Sequence, residues 1–315
     1  MITAALVHWF PGWHDPYYQR YAWLVLGLLL AAGVVLLLMR GSRRRAAPAV
    51  HSAWRSYQSW LVMVPVAFAA LGLGRTPFIF ALTLMSLFCV KEFARATGLY
   101  EDWGFVGAIY AGIIGFYWSA WTPWYGLFVA MPVYGIAVLF MIPALRNDYA
   151  GMLQKVGLSA IALIYLGWFP AHLAFLKDFR YGDAYLLFLL IATEFNDVAA
   201  FSAGKLLGKR PLVSKISPRK TVEGALGSLA ATSLFVWAIR GWLPGFHAGL
   251  LVLSVIIIWI GGTVGDLAIS VVKRDIGIKD MGALIPGHGG LLDRVDSLIF
   301  TAPLFFHMVN HYVRV

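Results

Sequence analysis

Charge is what this sequence has least of. Only 13% of its 315 residues are Asp, Glu, Lys or Arg, about half the share found in soluble domains. So little charge cannot clothe an ordinary water-exposed surface, and 60% of the residues are hydrophobic. Cysteine is nearly absent: Cys89 is the single one. That excludes an intramolecular disulfide, and no His/Cys cluster has zinc spacing. Acidic residues are also few, 15 against 25 Lys and Arg, for a net charge of +10. In a soluble protein that excess would suggest nucleic acid. In a membrane protein it reads first as loop bias, and no nucleic-acid partner is expected. A cleavable-leader pattern is missing too. The first apolar run starts near Tyr21 with no small-residue cleavage site after it, so it reads as a span that stays.

What is present is a series of apolar runs. About ten are long enough, or nearly so, to cross a bilayer: 21–39, 58–74, 76–91, 103–121, 124–144, 156–175, 182–201, 225–242, 247–272 and 293–312. A bilayer span needs about 20 residues as helix, so the expected class is an all-α polytopic integral membrane protein. Charge tests the count. With the N-terminus outside, 19 Lys and Arg fall on the inner side and 6 on the outer. One span more or fewer would spoil that asymmetry, so both termini are expected outside and the basic loops in the cytoplasm. A bacterial inner membrane fits this pattern. The chain changes character near residue 182. Residues 1–181 read as scaffold and lipid-facing spans. Residues 182–315 read as a catalytic region with cytoplasmic loops at 202–224 and 273–292.

Carboxylates appear where lipid should be. Glu194 and Asp197 lie near the inner end of the seventh run, and Asp266 near that of the ninth. At 1.5 Å per residue, Asp266 sits about 10 Å deeper than Lys273. An acid there is costly unless it meets water, a cation or a metal, so it reads as functional. Asp266, Ser270 and Lys273 share one helical face, as do Asp293 and Asp296 at the start of the tenth run. The ninth run ends and the tenth begins at the same membrane side, so Asp266, Asp293 and Asp296 can converge. Hard oxygen donors of this kind suit Mg²⁺, with room for a second cation.

The loops at that side suit phosphate. Pro286-Gly287-His288-Gly289-Gly290 leads into a helix start, where backbone amides attract anions. His288 stands alone between glycines and reads as a turn or phosphate contact, not a zinc ligand. In the other loop, Ser217-Pro218 has the chemistry of a helix start, which Lys215, Arg219 and Lys220 would surround.

At these residues the sequence resembles the phosphatidate cytidylyltransferase (CDP-diacylglycerol synthase) family. The stretch SVVKRDIGIKDMGALIPGHGGLLDRVD, Ser270 to Asp296, is similar to that family's signature throughout. The segment NDVAAFSAGKLLGKRPLVSKISPRKTVEG resembles a second family region. It departs at Phe201, Lys205 and Val222, where Tyr, Arg and Trp are usual, as a divergent branch would. The likeness spans about residues 190–305. It implies transfer of CMP from CTP to phosphatidic acid with Mg²⁺, giving CDP-diacylglycerol and pyrophosphate. It also implies metal ligation by Asp266, Asp293 and Asp296, and phosphate contacts from Lys220, Lys273 and Arg274. Ser217, Asn196, Asp197, Ser270, His288, Gly289 and Arg294 would line the nucleotide site, with Arg294 also free to pair with a carboxylate. The attacking group is already an anionic phosphate, so positioning and charge neutralisation are the work required.

Three rivals stand beside this reading. They are a cytidylyltransferase acting on another lipid phosphate, a CTP-dependent lipid kinase that would release CDP, and an ion-coupled transporter. The last predicts broken helices in both halves, whereas polar interruptions occur only in the C-terminal part. Apolar faces leave room for a homodimer without locating its interface.

Overall fold

The computed structural model describes residues 10–41, 48–282 and 289–313. Ten long helical segments occupy the places of the ten apolar runs. They are α1 (Pro16–Gly41), α2 (Pro48–Gly72), α3 (Arg75–Ala96), α4 (Trp103–Trp121), α5 (Tyr125–Arg146), α6 (Met152–Leu176), α7 (Gly182–Leu207), α8 (Val222–Ala238), α9 (Ala248–Asp275) and α10 (Leu292–Tyr312). Seven of them, α1, α3 to α7 and α9, are long and apolar enough to cross a membrane. The chain is an all-α polytopic membrane protein.

Local chemistry sets the helix ends. Asp102 accepts the Gly104 amide at the start of α4, and Thr221 accepts that of Gly224 at the start of α8. Each takes up one amide that the first helical turn leaves free. At the other end of α9, Ile278 N donates to Lys273 O and Gly277 N to Arg274 O. This paired closure ends the helix and leaves Lys273 and Arg274 in its last turn.

One expectation fails here. Ser217-Pro218 does not start a helix; Ser217–Thr221 is a strand, β2, paired antiparallel with β1 (Pro211–Val213). The helix begins at Val222 because Thr221 supplies the cap and Glu223 seals the hairpin. The Glu223 carboxylate accepts the amides of Lys209 and Arg210 and pairs with the Arg210 guanidinium at 2.9 Å.

Small residues bring the last four helices together. In α9, Gly261 faces Thr301 of α10, and a Cβ on Gly265 would stand 2.5 Å from the Asp296 carbonyl oxygen. No larger residue fits that crossing without displacing backbone. In the α7–α8 crossing, Gly224 and Gly227 face Ala200, Ala203 and Gly204. The indole of Trp259 in α9 donates to the Ala225 carbonyl of α8 at 2.7 Å. Helix α6 departs from α geometry over Ala162–Trp168, a π-helical turn. Such turns re-aim side chains and occur often at functional sites.

Candidate active site

The close crossing of α9 and α10 sets the level at which the acids meet. Asp266 on α9 is reached by Lys220 of β2, with Nζ to Oδ2 at 2.7 Å, and by the Ser270 hydroxyl at 3.2 Å. The expected face of Asp266 and Ser270 is therefore real, and the hairpin lays its lysine over it. Asp296 on α10 is buried and accepts the Ser297 amide at 2.8 Å. Asp266 and Asp197 repel it electrostatically, and Lys273 attracts it. Asp197 on α7 also faces Ser297 and Asn196 and lies in the field of Lys220. Gly262 has no side chain to keep Asn196 and Asp197 away from Ser297. Asn196 is buried and accepts the Thr232 hydroxyl at 3.3 Å, which ties α7 to α8. Three carboxylates from three helices thus lie in one another's fields, together with two lysines.

Asp293, expected as a metal ligand, also holds the protein's own donors. Its Oδ1 takes Lys273 Nζ at 2.8 Å, and its Oδ2 takes the amides of Met281 at 2.9 Å and Gly290 at 3.0 Å. Through those three donors it fastens the loop after α9 to the start of α10. Gly289 adopts φ +81 against Asp293 Oδ2, a left-handed conformation that favours glycine. Arg274 braces the hairpin, donating to the Ile216 carbonyl at 3.1 Å and that of Ile278 at 3.3 Å. Arg294 pairs with neither Asp293 nor Asp296. Its buried Nε has no hydrogen-bond partner, and its charge acts on Glu194. Ser217 begins β2, opposite Val213 of β1. His288 falls outside the described residues.

The helix start after the glycine loop was expected to be open to a substrate anion. It is filled from within. Glu92, near the end of α3, accepts the amides of Leu291 and Leu292, each at 2.9 Å. Tyr165, in the π-helical turn of α6, donates to the Gly265 carbonyl at 3.3 Å, one residue before Asp266. Sequence reading misses both residues, which lie within residues 1–181. Glu92 did offer one signal, an acid at the end of an apolar run beside Lys91 and Arg95. Tyr165 offered none.

Among the described residues, no three His, Cys, Asp or Glu side chains form a group that could hold a metal alone. Mg²⁺ does not need one, since it is bound through one or two carboxylates together with substrate phosphates and water. Asp266 and Asp296 supply hard oxygen donors at one level, so the residues present fit that mode.

Comparison with known proteins decides the family. Residues 54–312 match the model of the cytidylyltransferase family. This chain belongs to that family. It is 39% identical over 191 residues to the uncharacterized protein YnbB of Escherichia coli (strain K12), covering 58% of this chain and 62% of YnbB. It is 40% identical over 149 residues to a phosphatidate cytidylyltransferase of Mycobacterium leprae (strain TN), covering 45% of each. A phosphatidate cytidylyltransferase of Aquifex aeolicus (strain VF5) is 41% identical over 151 residues, 47% of this chain and 55% of that protein. The matched stretch therefore spans about half the length of these relatives.

Proposed function

We propose that this cytidylyltransferase moves CMP from CTP to phosphatidate, forming CDP-diacylglycerol and releasing pyrophosphate. The observation that carries the reading is the meeting of Asp197, Asp266 and Asp296 with Lys220 and Lys273 at one end of the bundle. Relatives bearing the name of this activity support the choice of acceptor.

In the reaction, an oxygen of the lipid phosphate attacks the α-phosphorus of CTP. One P–O bond forms, the bond from the α-phosphorus to the bridging oxygen breaks, and pyrophosphate leaves with the electron pair. No strong base is needed, because the nucleophile is already an anion. Lys220 and Lys273 stand where they can hold phosphate oxygens as point charges. Such contact would draw Lys220 away from Asp266 and free that carboxylate. A Mg²⁺ ion held by Asp266 and Asp296 would neutralise charge on the phosphates. Asp293 orients the loop, Asn196 fixes Asp197, and Arg274 holds the hairpin over the site.

The 19-to-6 distribution of Lys and Arg supports a cytoplasmic site, in a bacterial inner membrane with both termini outside. CTP then reaches the site from water and the lipid from the bilayer. Residues 182–315 supply the groups that meet the substrates, and residues 1–181 the scaffold that braces them.

The test is purified protein in detergent with labelled CTP, Mg²⁺ and phosphatidic acid. CDP-lipid and pyrophosphate should appear in equal amounts, and Asp296→Asn should lower the rate by about a thousandfold. Release of CDP with phosphorylation of a neutral lipid would replace this reading with a lipid kinase. Turnover only with another lipid phosphate would change the acceptor.

A further inference from the structure

The start of α10 is an odd place for a protein carboxylate if its purpose were to hold substrate. Its free amides and dipole make it an anion site, and the glycine turn before it gives close access to the backbone. Yet Glu92 fills it, with one carboxylate oxygen on the Leu291 amide and the other on that of Leu292. The slot is shaped for this guest. Gly282 and Gly290 lie against the Glu92 carboxylate so closely that a Cβ on either would collide with it. Asp293 holds the same loop through the amides of Met281 and Gly290. Glu92 thus ties α3 to the turn that delivers Asp293 and Asp296, from the other half of the chain.

We propose that Glu92 is a positioning residue. Occupying the anion slot, it fixes the axial and rotational register of α10, and with it Asp296, and keeps substrate phosphate out of a nonproductive site. Two charge-assisted hydrogen bonds to consecutive amides constrain both translation and rotation of the helix end. A shift of about 1 Å at the reacting centre is enough to cost about a hundredfold in rate. The inference rests on the cytidylyltransferase reading for its rate measurement, but not for its structural one.

The experiment compares wild type, Glu92→Ala and Glu92→Gln in detergent, with Glu92→Asp as the conservative variant. In Glu92→Ala, kcat should fall about a hundredfold while KM for CTP changes by less than about threefold. Sodium formate, small enough to enter the vacated slot, should restore part of the rate to Glu92→Ala and none to wild type. Pyrophosphate should inhibit Glu92→Ala more strongly, since the slot is then open to phosphate. Glu92→Gln should fall between, because its amide group turns a donor toward a backbone N–H. Amide exchange should speed up at residues 289–296 and stay unchanged in α4 and α9. Unchanged kcat in Glu92→Ala would overturn the proposal. A loss that formate does not relieve, with faster exchange throughout the bundle, would overturn it too, because Glu92 would then be only structural. If wild type turns over no CTP, the functional reading fails, while exchange at Leu291 and Leu292 still tests the placement of Glu92.

Discussion

Helices α1 and α6 are both long and apolar, and hydropathy alone ranks either as a span. Only 11% of the apolar window of α1 is buried inside the protein, against 61% for α6. Leu28, Leu30, Val34, Val35, Leu37 and Leu38 of α1 are all exposed, a surface that lipid covers at no cost. Helix α6 instead packs among α3, α4, α5 and α10, and its π-helical turn aims Tyr165 at Gly265. Being apolar is thus enough to enter the bilayer and insufficient to reach the centre of the bundle. Inside the bilayer, close packing and polar contacts decide which helix is central.

The sharpest way to break this comparison is a matched pair of glycine substitutions. Gly265→Ala puts a Cβ 2.5 Å from the Asp296 carbonyl oxygen, whereas a Cβ on Gly27 in α1 meets nothing within 4 Å. The first should cost about 2–3 kcal/mol in thermal unfolding and nearly all CTP turnover. Gly27→Ala should be silent in both. Equal effects would mean that α1 packs as tightly as α9.

A smaller effect is expected from Tyr165→Phe, which removes the hydroxyl that donates to the Gly265 carbonyl at 3.3 Å. The lost bond is worth about 1 kcal/mol, so the unfolding midpoint should fall by only about 2–4 °C, and kcat should fall roughly fivefold. A null result would leave the π-helical turn without a part in the reaction.

The smallest effect belongs to a feature remote from the site. Asp102 caps α4 and joins Arg146 of α5 at 2.9 Å and Lys155 of α6 at 2.8 Å. Burial pushes its carboxyl up, but Lys155 and Arg146 outweigh that and hold it below the usual range. Its stabilisation is therefore complete above the ordinary carboxylate pKa and is lost as pH falls through the depressed one. Asp102→Ala should cost about 1 kcal/mol near neutral pH, with a smaller difference from wild type in acid and no change in kcat. Both cations are well exposed, so water screens the pair and keeps the figure low.

Much of the fold is legible along the chain. The run expected at 103–121 is helix Trp103–Trp121, and each of the other runs has its helix. Half of the site is legible too. Asp266 and Ser270 are four residues apart, so helical periodicity alone puts them side by side. Ser217-Pro218 misleads because a helix start and a strand are equally open to it, and Glu223 decides between them by binding the amides of Lys209 and Arg210. Asp293 has contacts that spacing does not foretell. Its spacing with Asp296 is right, but only the folded loop brings Met281 and Gly290 to its oxygens.

The sequence by itself determined the membrane class, the helix positions, the acidic character of α9 and α10 and the basic loops at one end, because hydropathy and helical spacing are local properties. Tertiary structure alone decided that Lys220 meets Asp266, that Asp293 serves the loop, and that Glu92 and Tyr165 reach the site from helices before residue 182. Those pairings depend on which helices cross and how closely, and that is set by small residues at crossings between helices distant in sequence.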